Sequence, residues 1–64
     1  MLFDYWFYYE SNEGEFEFFV ECETCREAWR IAKENFPTGE DIGCLWLMSV
    51  ITPEEAEEIG LDTF

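Results

Sequence analysis

Sixty-four residues carry sixteen acids, three bases and no histidine, for a net charge of −13. Binding to DNA or RNA phosphates draws on Lys and Arg to release counterions, and an anionic membrane makes the same demand, so neither is expected as a direct partner. Hydrophobic residues at 48% and aromatics at 20% are too dense for a disordered acidic tail, so residues 1–64 read as a single folded domain.

Small soluble domains usually carry a net charge of magnitude roughly 2–8, and crowded carboxylates destabilise a compact state. The expected partner is therefore a basic protein, such as a nucleic-acid-binding enzyme or complex with a cationic groove. Met1 to Tyr9 is apolar but lacks a basic n-region, and Asp4 interrupts it, so it does not read as a signal peptide. The longest uncharged run, Ile42 to Pro53, is too short to span a bilayer. Three cysteines, an odd number, fit free thiols in a reducing cytoplasm.

In chain order, Leu2 to Tyr9 is rich in β-favouring aromatics and predicts a strand. Glu10-Ser11-Asn12-Glu13-Gly14 supplies turn residues for a hairpin. Glu15 to Cys22 alternates, with Phe16, Phe18, Val20 and Cys22 on one side and Glu15, Glu17, Phe19 and Glu21 on the other. Thr24 with Glu27 forms a capping box. Cys25, Ala28, Trp29, Ala32 and Phe36 then trace the apolar stripe of a helix, which Asn35 and Pro37 end.

Thr38 to Gly43 reads as a loop. Cys44 to Ile51 is apolar at every position but Ser49, the pattern of a strand covered on both faces or meeting a partner. Thr52-Pro53-Glu54-Glu55 opens a second, short helix that Gly60 stops. The order β-β-α-β-α predicts an α+β fold, a three-stranded sheet containing antiparallel pairs with the main helix on one face. A right-handed crossover puts the third strand beside the first, giving spatial order 2-1-3.

Chemistry has few footholds. Cys22-Glu23-Thr24-Cys25 is a C-x-x-C at a helix start, where a thiol pKa can fall. Both cysteines nonetheless fall in phase with apolar neighbours, and a zinc site built with Cys44 lacks a fourth ligand. Buried structural cysteines are the preferred reading, with no metal and no cofactor. Without histidine no Ser-His or Cys-His pair can form, and no phosphate loop or calcium loop is present. An enzyme is not expected, and there are no candidate catalytic residues.

Arg26, Arg30 and Lys33 are the only bases and share one helix flank, in reach of Glu23, Glu27 and Glu34. Residues 1–25 hold seven acids, residues 34–64 hold eight, and neither segment has a base. One acidic cluster, Glu10, Glu13, Glu15, Glu17 and Glu21, lines the hairpin and second strand, with Glu15 and Glu17 roughly 6.6–6.8 Å apart from the strand rise. Glu54, Glu55, Glu57 and Glu58 crowd the second helix, joined by Asp62 and by Glu40 and Asp41 in the loop. Such an array can occupy a groove built for a phosphate backbone, although acids also solubilise an aromatic-rich domain, and Glu54 and Glu55 suit the helix dipole.

If Phe3, Tyr5, Phe7 and Tyr9 face the main helix, then Trp6, Tyr8 and Phe19 lie on the other side of the sheet. They form a candidate partner or homodimer surface unless residues 56–64 cover them. An interaction module using that aromatic face, with charge serving solubility alone, is the alternative function.

In size, charge and cytosolic character the whole chain resembles small acidic proteins of phages and mobile elements, the DNA-mimic and anti-CRISPR inhibitors. That resemblance rests on overall properties and no motif, and it assigns no residue a role. It implies inhibition of a nucleic-acid-handling partner.

Overall fold

The computed structural model describes every residue from Met1 to Phe64. Its elements are β1 (Phe3–Ser11), β2 (Gly14–Cys22), α1 (Cys25–Asn35), β3 (Gly43–Ile51) and α2 (Pro53–Ile59). The sheet runs β2-β1-β3, with β1 antiparallel to both neighbours. The α+β class, element order and strand order expected from the sequence all hold. Both hairpin strands reach further into the turn than expected, because Ser11 pairs with Gly14 and only Asn12 and Glu13 remain to reverse the chain.

The period-two pattern sorts the sheet into two faces. Tyr5, Phe7 and Tyr9 pair with Val20, Phe18 and Phe16 across β1 and β2. This face packs on α1 through Ala28 and Ala32, both fully buried, whose small side chains bring the helix close to the sheet. Trp29 meets Phe7 edge-on at 5.0 Å, and Phe36 stacks on Phe18 at 4.0 Å. Aromatic pairs of this kind add about 0.5–1.5 kcal/mol beyond area burial, which helps a chain this short hold a fold.

Both helix starts follow the sequence. The Thr24 hydroxyl accepts from the Glu27 N–H at 3.2 Å, and that of Thr52 from the Glu55 N–H at 3.3 Å. α2 ends where Gly60 turns left-handed, at φ 79°.

The last residues complete the sheet. Phe19 and Glu21 donate backbone hydrogen bonds to Asp62 and Phe64, and Phe64 donates back to Phe19, so 62–64 lies parallel along the outer edge of β2. The Phe64 ring folds onto Phe18 and Phe36. No helix is long and apolar enough to cross a membrane.

Three expectations change. Phe19 is fully buried, because residues 62–64 pair along it and its ring meets Trp6 at 5.6 Å; it is withdrawn from any contact surface. Cys25 is exposed, at the first position of α1, although it falls in helical phase with buried Ala28 and Ala32. β3 is not covered on both faces: Trp46, Met48 and Val50 are 45%, 60% and 47% exposed, because α1 packs over β2 and β1 on one face and α2 against β1 on the other.

Candidate partner-binding face

The face of the sheet opposite α1 holds Asp4, Trp6, Tyr8 and Glu10 from β1, paired respectively with Glu21, Phe19, Glu17 and Glu15 from β2. Strand alternation dictates this set: Glu15, Glu17 and Glu21 share a parity, and the antiparallel register sets them beside the even-numbered residues of β1. Glu10 lies directly opposite Glu15, a like-charge pair of the kind that destabilises a sheet.

The aromatic rings hold these carboxylates in place. The Trp6 indole N–H donates to Glu17 Oε1 at 3.1 Å, and the Tyr8 hydroxyl donates to Glu10 Oε2 at 3.3 Å. The Tyr8 hydroxyl is pushed up to about 12, first by the Glu15 carboxylate within hydrogen-bonding reach of it, then by desolvation and the surrounding negative charge, which includes Glu10, the acid it donates to. Both rings are half-buried. Acids and aromatics, two separate sets along the sequence, form one surface here.

α2 docks on this same face. Ala56 is buried, and Pro53, Ala56 and Leu61 line a pocket together with Asp4, Glu21 and Glu57. Glu54, Glu55, Glu57 and Glu58 are all exposed. The two acidic clusters, far apart in sequence, therefore share one side of the molecule, and Glu13 extends it at the tip of the hairpin. At that tip Glu10 and Glu15 also line a shallow depression with Asp41.

The bases lie on α1, across the sheet. Arg30 bridges Glu27 at 3.3 Å and Glu34 at 3.0 Å, while Lys33 sits 5.7 Å above the Trp29 ring. None of the bases neutralises the opposite face.

Asp4 is the unexpected member. It is 1% exposed, and its Oδ1 has no hydrogen-bond partner. Its carboxyl is raised above the usual carboxylate range, first by burial and then by the charge of Glu21 and a hydrogen bond with it. Asp4 falls in a run of aromatic residues, and only the docking of α2, a contact distant in sequence, buries it.

Cys22 is buried, with its thiol donating to the Thr24 carbonyl at 3.2 Å and pushed up by burial, while Cys25 and Cys44 are exposed and unbonded. No group of three or more potential ligands is placed to hold a metal ion. In comparisons with known proteins, the chain matches no family model, no curated protein and no solved structure.

Proposed function

We propose that the chain is a non-catalytic, acidic binding protein that occupies a basic, nucleic-acid-binding groove of a partner protein and inhibits it. The observation that carries this reading is the sorting of charge. Acids of β1, β2 and α2 share one sheet face that holds no base, and all three bases sit on α1 behind it. A one-sided array of carboxylates steers toward a cationic groove and displaces its counterions much as a phosphate backbone does.

The hydrogen bonds from Trp6 and Tyr8 support it further, since charged groups already held in place lose less entropy on binding. The same bonds weigh against the aromatic module: Trp6 and Tyr8 are engaged with carboxylates, and Phe19 is covered. Two exposed thiols, Cys25 and Cys44, fit a reducing cytoplasm.

The test begins with capture of partners from nuclease-treated lysate at low and high salt, followed by competition of the captured protein with duplex DNA. The expected partner is basic, releases the chain as salt rises, and binds DNA and the chain exclusively. Glu15→Lys with Glu17→Lys should abolish its capture. Association unchanged by salt, or simultaneous binding of DNA, defeats the proposal.

A further inference from the structure

The two outer edges of the sheet differ. Residues 62–64 pair along β2, while the outer edge of β3 is paired only at its first residue, where Gly43 exchanges hydrogen bonds with Gly39. Because Gly43 turns its N–H and C=O outward, alternation turns those of Leu45 and Leu47 outward as well. The extra residue at Met48, where the register with β1 shifts between Trp6 and Phe7, then resets the outward set to Val50. Outside the helices and strand pairs, no backbone hydrogen bond involves any residue from Leu45 to Ile51.

An edge nine residues long spans about 27 Å, and it lacks most of the devices that protect free edges. Lys and Pro are absent from Gly43–Ile51, its side chains are apolar but for Ser49, and the bulge is its one irregularity. A groove beside it, lined by Trp29, Leu45 and Trp46 with Lys33 and Glu40 at the rim, is open to apolar side chains.

We propose that the free edge of β3 accepts an added β-strand from a partner, a segment apolar at alternate positions and flanked at both ends by Lys or Arg. The flanks follow from charge. β3 itself carries none, but Glu40 and Asp41 precede it and Glu54 and Glu55 follow it, so the segments flanking the strand are acidic at both ends, and Glu40 stands at the groove beside the edge. A second copy fits poorly: antiparallel pairing of two β3 strands sets Glu40 and Asp41 of one against Glu54 and Glu55 of the other, between chains of charge −13. Strand addition supplies affinity through main-chain hydrogen bonds and selectivity through alternate side chains.

The inference goes beyond groove occupancy and fails separately from it. Glu15→Lys with Glu17→Lys leaves the β3 edge intact, while blocking the edge leaves the acidic face intact.

The probe is a synthetic peptide, Lys-Lys-Val-Thr-Val-Thr-Val-Lys-Lys, titrated into the full chain and followed by amide exchange. Three comparison peptides accompany it: one N-methylated at alternate residues, one flanked by Glu, and one of scrambled Lys and Thr. Protection is expected at Leu45, Leu47 and Val50, with binding weakened about tenfold or more by N-methylation and lost with Glu flanks. The double charge reversal of Glu15 and Glu17 should leave that protection in place. The proposal is overturned by equal binding of the scrambled peptide, by protection confined to β2 or α1, by no binding at all, or by sedimentation showing the chain alone already dimerised with its β3 amides protected.

Discussion

The indole N–H of Trp6 reaches diagonally across β1 and β2 to the carboxylate of Glu17, 3.1 Å away. The indole ring rests edge-on against buried Phe19, so a side chain fixed by packing in turn fixes an acid at the surface. Tyr8 treats Glu10 in the same way. Charge on this face is therefore positioned from below, and the aromatic content of the chain serves both the core and the geometry of its acids.

Tyr8 reports on that arrangement. Its hydroxyl should ionise near pH 12, well above an ordinary tyrosine, because the phenolate would face the carboxylate of Glu15 and lose the proton it donates to Glu10. In Glu15→Gln the transition should move down toward pH 10. Ultraviolet titration of tyrosinate, with Tyr8→Phe subtracted to isolate the signal, checks the shift; an unmoved transition would mean that Glu15 does not hold the ring.

Asp4 makes stability depend on pH. Its folded-state pKa lies above the ordinary aspartate value of 3.8, so the folded protein binds the proton more tightly than the unfolded chain. Its contribution is full below 3.8, declines as pH rises through that value to the raised one, and is then lost. Repulsion among the other acids acts in the same sense. Asp4→Asn offers Glu21 a donor and removes a buried charge, and should stabilise the protein at neutral pH on the order of 1 kcal/mol. Urea unfolding across the acidic range should show a shallower pH slope than the parent, and an equal or steeper slope would refute the assignment.

Gly43 is a packing constraint. A Cβ there would lie 2.5 Å from the Tyr9 hydroxyl and 2.7 Å from its ring, and that hydroxyl donates to the Pro37 carbonyl at 2.7 Å. Gly43→Ala should cost about 1–3 kcal/mol through displacement of a buried ring. Gly60→Ala, where a Cβ meets nothing within 4 Å but φ is 79°, should cost only the left-handed strain of about 1 kcal/mol. Denaturant midpoints of the two variants give the ordering, and the reverse order would refute it.

Much of this was legible in the chain. The alternation of Phe16, Phe18 and Val20 fixed the inward face of β2, and the Thr24 and Thr52 boxes marked both helix starts. What escaped depends on contacts between distant segments. A seven-residue helix such as α2 shows little periodicity, so nothing local indicated which face it would cover, that Phe19 and Asp4 would be buried, or that its glutamates would join those of β2. The bulge at Met48 has no turn residue to mark it. Cys25 fell in phase with Ala28 and Ala32, but helical phase cannot say where the sheet beneath a helix ends.

Placing every base on α1, with one face of acids across the sheet, also separates the centre of charge from the centre of mass. In the field of a cationic surface such a molecule feels a torque as well as an attraction. It would rotate the sheet face forward before contact, so that fewer encounters are spent in unproductive orientations.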